Sequence, residues 1–306
     1  MTVSNVRPLS IFTGYMLLAA GLTAKSISVI CSQQRASSRR NGPASSAQRR
    51  AIVVFSVLAS LSLATTWYHM FRYFEWSYDQ WAIAQASGVG AGDITSTGLR
   101  LGEWLRDTSL FKQAWASTLE TGPRAWWSLQ IFGFCANWSV LLAAQAYARR
   151  IPHAWIFVLL GQVVAISFAA NLSFLAILCS NVPTSTSPKD EKRRGDHQTQ
   201  EVTSSSSVSW HTIILVVNLL WATSIPSAID QPGFLALLMG PHLLAFVPLI
   251  LNNLLPSRVL GDPAWYWKAA SMVWVLAVAT RGVLNEDGGL EVVGRTLYEH
   301  PALYMQ

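Results

Sequence analysis

Charge is scarce in this chain of 306 residues: Asp, Glu, Lys and Arg make up 12% of it, against 51% hydrophobic residues. Ordinary soluble domains carry roughly twice that charged share, so the deficit argues against an exterior that faces water. Cysteine is scarcer still. Cys31, Cys135 and Cys179 are too few for a disulfide framework and have no metal-like spacing, and each lies within or at the end of an apolar stretch, as a small buried hydrophobe does. Several chemical signatures are missing too. There is no Gly-rich phosphate loop, no H-E-x-x-H, no C-x-x-C, no G-x-S-x-G elbow, no histidine box and no paired Asp-rich run for magnesium and diphosphate. Neither a cofactor nor a metal is therefore expected. No repeat of fixed period is visible, and no basic patch interleaved with stacking aromatics marks a nucleic-acid partner.

Long apolar runs are what the chain has in quantity. Seven stretches, at 9–31, 51–74, 125–147, 154–180, 209–229, 233–255 and 264–281, approach or exceed the roughly 20 helical residues that a 30 Å hydrocarbon core requires. The expected fold is all-α, a single transmembrane domain over 1–306 with about seven spanning helices and the lipid bilayer as its first partner. The 14 Trp agree with this. Trp67, Trp126, Trp127, Trp155, Trp210, Trp265 and Trp267 fall near the ends of these stretches, where an indole suits the headgroup level. The first stretch follows only Arg7, is interrupted by Lys25 and has no small-residue cleavage site after it, so it reads as a retained span rather than a signal peptide.

Loop charge suggests an orientation. Arg35, Arg39, Arg40, Arg49 and Arg50 lie between the first two stretches, and Arg149 and Arg150 between the third and fourth. Basic loops stay in the cytoplasm. Seven crossings then leave the N-terminus on the lumenal or exterior face and the C-terminus in the cytoplasm. One loop disagrees: 181–208 carries Lys189, Lys192, Arg193 and Arg194 yet falls on the outside of this layout. Rich in Ser and Thr and poor in apolar residues, it reads as a disordered connector.

Residues 75–124 form the least expected part. They are too many for a turn and too aromatic for a disordered loop, and Leu101, Trp104, Leu105, Leu110, Phe111, Trp115 and Leu119 fall into loosely apolar helical stripes. An interfacial helical insertion between spans two and three, ending at Gly122-Pro123, is the expected outcome. Within it Glu103 and Asp107 are four apart, with Arg106 beside them. A carboxylate pair against apolar walls retains one proton and serves as an acid near neutral pH. The ordinary alternatives are that Asp107 caps the next helix and that Glu103 pairs with Arg100 or Arg106. His69 ends span two, with Arg72 and Glu75 a turn or so later. Deeper polar groups at Asn137, Gln162, Asn171, Asn218, His242, Asn252 and Asn253 serve interhelical hydrogen bonds or line a polar cavity, and Tyr and Trp around such a cavity stabilise a passing cation.

The run WYHMFRYFEWSYDQW (67–81), with WLRDTSLFKQAW (104–115), RAWWSLQ (124–130) and a late HPA (300–302), resembles a group of fungal integral-membrane proteins that includes the terpene cyclases of ascofuranone- and macrophorin-type pathways. The similarity is best over 51–140. It implies an enzyme of the endoplasmic reticulum membrane in secondary metabolism, which cyclises a prenylated and sometimes epoxidised small molecule. A carboxylic acid starts that reaction, aromatic residues guide the cation, and no metal takes part. The candidate catalytic residues are Asp107, Glu103, His69 and Glu75. The candidate substrate contacts are Trp67, Tyr68, Arg72, Tyr78, Trp104, Arg106, Trp127, Gln130 and Asn137. Two other readings stay open: a non-enzymatic membrane receptor or assembly protein, and a small-solute transporter in which the buried Asn and His residues line the path.

Overall fold

The computed structural model describes residues 6–42, 44–88, 100–180, 210–255, 265–284 and 289–305, and every regular element among them is helical. The expected connector at 181–208 lies outside the described residues. The helices are α1 (Val6–Asn41), α2 (Ser46–Gly88), α3 (Leu101–Asp107), α4 (Leu110–Leu119), α5 (Gly122–Arg149), α6 (Trp155–Val163), α7 (Ile166–Cys179), α8 (Trp210–Ser224), α9 (Phe234–Leu244), α10 (Val247–Leu254), α11 (Trp265–Leu284) and α12 (Gly289–Thr296), with 3-10 turns at Pro226–Ala228 and Pro301–Met305. Among the described residues three helices, α1, α2 and α5, are long and apolar enough to cross a membrane. A fourth span results if α9 and α10, bent by 45° where they meet, count as one. The seven apolar stretches are thus predominantly helical where described, but they do not all form continuous spans.

The stretch 154–180 departs most from expectation. Its helix breaks at Val164 and Ala165, and α7 turns back alongside α6. A methyl group on Gly161 would sit 3.4 Å from the Cβ of Ala169, whereas residues eight apart in a straight helix are separated by about 12 Å along the axis. Both ends of this hairpin reach the same end of the bundle. There Arg149, at the end of α5, donates to the carbonyl of Ile177 at 3.2 Å, and Gln48, at the start of α2, donates to that of Leu178 at 2.8 Å. We call this the basal end.

The other helices take their direction from it. α1 runs toward the basal end and α2 away, with Phe12 against Phe74 and the Tyr15 hydroxyl near Met70. α10 returns to the basal end beside α5, Asn252 donating to the Ala143 carbonyl at 2.7 Å. α8 lies antiparallel to α9, because Asn218 donates to Pro241 and Trp221 to Leu237. α11 runs away from the basal end, Ser271 donating to Asn137 and Trp274 packing on Gly133. At the opposite, apical end α3, α4 and the 3-10 turn at Pro301–Met305 cover the bundle.

That cover is tied down by α2. Residues 75–88 continue this helix without interruption, so position 75 is not an element boundary. Thr66, Met70, Tyr73, Ser77 and Trp81 follow one another at helical spacing and form its buried face. Tyr73 donates to the Leu110 carbonyl at 3.0 Å, the Ser77 hydroxyl donates to Gln113 at 2.8 Å, and the Trp104 indole donates to Ser77 at 3.2 Å. The side chains of the four stretches behind the family resemblance therefore meet at the apical end, where His300 also packs against Trp76 with ring centres 4.5 Å apart.

Candidate functional site

Beneath the apical cover lies a cavity of about 940 Å³, enclosed by α1, α2, α4, α5, the α6–α7 turn, α8 and α9. Such a volume suits a ligand larger than most metabolites. Helix ends and breaks create it. The turn at Val164–Ala165 stops short, leaving its backbone at the floor, and Pro241 in α9 removes an amide donor at the level where Asn218 faces it. Its wall is aromatic. Trp115 stacks on Phe132 at 5.5 Å, and the His242 ring stands edge-on to both, at 5.3 and 5.7 Å.

A few polar groups interrupt this surface. The Tyr15 hydroxyl donates to the Val163 carbonyl at 3.0 Å, and the Gln162 amide contacts the Cys135 sulfur at 3.6 Å. His242 Nδ1 lies 2.9 Å from the Leu238 carbonyl, so the neutral ring carries its proton there and leaves Nε2 to accept. Asn218 is buried and its Oδ1 meets no donor among the described residues. A buried amide oxygen without a partner costs about 1–3 kcal/mol, which a ligand donor would relieve. At the apical mouth Arg7 and Arg106 line the opening. The cavity is apolar in its body, carries hydrogen-bonding groups inside and is cationic at its entrance.

Of the expected site residues, Arg106 alone lines this cavity. Asp107 follows it but turns elsewhere: its Oδ1 accepts from Arg106 Nε at 2.7 Å and its Oδ2 from the Trp81 indole at 3.3 Å. The Arg106 guanidinium in particular holds the Asp107 carboxyl below the ordinary carboxylate range. This corrects the expectation of a retained proton, because the two carboxylates do not share a site. Glu103 is bound by Arg100, so each acid has its own guanidinium. Glu75 pairs loosely with Arg72 at 3.9 Å, with both side chains about two-thirds exposed. His69 is half-buried on α2 against the Tyr68 ring, and neither it nor Glu75 lines the cavity.

Most of the remaining expected substrate contacts have structural partners. Trp67 packs on Phe71, and Tyr68 points outward, 60% exposed. The Tyr78 hydroxyl accepts from the Arg100 amide, and Trp104 is buried in the bond to Ser77. The Trp127 indole donates to the Val293 carbonyl at 2.8 Å. Gln130 Nε2 is buried without a partner among the described residues, and Asn137 accepts from Ser271 at 2.6 Å. None of these lines the cavity. The residues that do, Gln162, Asn218 and His242, are deep polar groups visible in the sequence. Tyr15 was not distinguishable there from an ordinary boundary aromatic. Comparison with family models, with characterised proteins and with solved structures found no match.

Proposed function

We propose that this protein holds a prenylated small molecule in the apical cavity, within the endoplasmic reticulum membrane, and acts on it as a terpene cyclase. The observation that carries the binding half is the cavity itself, with about 940 Å³ of largely apolar, aromatic-walled space for a prenyl chain and a cationic mouth for a polar head. Cyclisation rests on the resemblance. No carboxyl group is among the described lining residues, and the nearest in the chain, Asp107, lies between the lining residues Arg106 and Thr108. In this reading the substrate head engages Arg106 and draws it from Asp107. Losing that partner raises the carboxyl pKa, the carboxylate takes up a proton from water, and the resulting acid protonates the epoxide or alkene. Ring closure forms a carbon–carbon bond and a final deprotonation returns the proton, so product and substrate are isomers. α3 and α4 form the interfacial insertion that covers the mouth.

The test is incubation of microsomes containing the protein with a prenylated phenol and with its terminal epoxide. Conversion to a cyclised isomer is expected. Asp107→Asn should lower turnover by about 10²–10⁴-fold, the usual contribution of a general acid, while substrate still binds. His242→Phe together with Asn218→Leu should weaken binding itself. Asp107→Asn within a few-fold of wild type, with binding lost in the cavity variant, would keep the ligand site and remove the acid mechanism.

A transport reading has one observation in its favour. The α6–α7 break and α9, one limb of the bent α9–α10 pair, border the cavity, as discontinuous helices border the substrate sites of transporters. Movement of unmodified ligand across proteoliposomes would support it over catalysis.

A further inference from the structure

A second cavity, of about 780 Å³, opens at the basal end between the α5–α6 connection and α10. Its wall divides by chemistry. Phe246, Leu249 and Ile250 supply an apolar side, Arg150 and His153 supply a basic one, and Asn252 and Asn253 add amides that already donate to the Ala143 and Leu249 carbonyls. Among the described residues no acidic side chain lines it. Neither Arg150 nor His153 makes a side-chain hydrogen bond or ion pair with a described residue, although Arg149 next door is fully engaged by Gln145 and Ile177. Trp155, 48% exposed at the cavity rim, is placed as an indole at the headgroup level would be.

The backbone holds the two basic side chains in unusual positions. Arg150 and His153 both have positive φ, 52° and 56°, which side chains other than Gly, Asn, Asp and His rarely adopt, so Arg150 is the less expected of the two. Arg150 is the left-handed residue that ends α5, and the Ile151 amide donates to the Ala146 carbonyl beyond it. A sequence under no other demand would place Gly there.

We propose that this basal cavity binds a membrane phospholipid with an anionic headgroup. The phosphate and its anionic substituent lie against Arg150 and His153, and the acyl chain runs along Phe246, Leu249 and Ile250. Charge complementarity selects the occupant, since an unpaired guanidinium beside an apolar groove at a helix end fits an anionic head with its chain attached. The inference uses the membrane setting but not the cyclase reading, and it concerns the opposite end of the molecule.

The full-length protein in nonionic detergent, examined by native mass spectrometry, provides the test. Dioleoyl phosphatidylserine should give a retained adduct, and dioleoyl phosphatidylcholine a weaker one. Arg150→Gly with His153→Gly removes both side chains while suiting the positive φ. This variant should lose phosphatidylserine affinity about fivefold or more, since a single basic residue near anionic lipid contributes roughly 1 kcal/mol. Arg40→Ala, an exposed basal arginine outside the cavity, should change nothing. If the double variant lost its folded elution profile, Arg150→Asn, which also tolerates this backbone, carries the same comparison. Equal retention of the two lipids, or an equal loss in Arg40→Ala, would overturn the proposal. So would saturation by inorganic phosphate without any lipid adduct.

Discussion

The His300 imidazole accepts the Ala302 amide at Nδ1, 3.2 Å away, which puts its proton on Nε2. Burial first, and the charge of Arg124 second, push its pKa down to about 4. An unfolded histidine titrates near 6.5. As pH falls from about 6.5 toward 4, the unfolded chain binds a proton that the folded one refuses, so stability declines over that window and levels off below it. The loss at full titration is on the order of 3 kcal/mol. Thermal unfolding in detergent should therefore shift downward between pH 7 and pH 4.5, and His300→Asn, which keeps an acceptor at the Nδ1 position, should flatten the dependence. Identical slopes in the two proteins would assign the effect to other groups. At this scale the sequence was legible in part. His300 was visible within a motif and Asn218 and His242 as polar groups at membrane depth, because lipid makes any such side chain conspicuous. The resting protonation of Asp107 differs from expectation because its partners are set by a rotamer choice of Arg106 and by Trp81, which lies on a different helix. Local spacing carries neither.

Helices were legible wherever hydropathy ran long, yet the length of an apolar run does not say whether it crosses or doubles back. Residues 154–180 have the length of a span but divide into α6 and α7, of 9 and 14 residues, about 14 and 21 Å long. No glycine or proline marks the break at Val164–Ala165. What marks the fold is Gly161, whose added methyl would make ordinary contact with Ala169 and with Trp138 at 3.4 Å. Gly161→Ala should therefore be tolerated, whereas Gly161→Leu should force α6 and α7 apart. Overpacking of this kind costs about 1–3 kcal/mol. Gly240 in α9 is a stricter case, because its added Cβ would overlap the Trp221 indole ring. Gly240→Ala should be destabilising where Gly161→Ala is not, a contrast readable as melting temperatures of the two detergent-purified variants. Equal behaviour would mean that Trp221 moves aside freely, despite its 2.9 Å bond to the Leu237 carbonyl.

Taken across the molecule, a hairpin that enters and leaves on one side adds no crossing, so we expect α6–α7 to make the count even rather than odd. If α1, α2, α5, α8, the α9–α10 pair and α11 traverse the bilayer and α6–α7 enters and leaves on the basal side, both chain ends fall on the apical side. The basal side then carries Arg39, Arg40, Arg49, Arg50, Arg149 and Arg150. Ser180, where the described chain stops before the Lys189–Arg194 cluster, is also basal, as its amide bond to Ile177 beside Arg149 requires. In that arrangement the conflict between that cluster and the basic loops would disappear, since all of them would fall on one face, and retention of basic segments would make that face cytoplasmic. Glu75, Glu103, Asp107, Glu120 and Glu299 stand at the opposite end. This layout keeps the expected lumenal or exterior N-terminus but moves the C-terminus to join it. Glycosylation acceptors introduced between 189 and 200, before Met1 and after Gln306 distinguish the two arrangements in microsomes. Modification at both termini and none within 189–200 is expected. Modification within 189–200 with none after Gln306 would restore the arrangement of seven crossings and require α6 and α7 to open out into a single span.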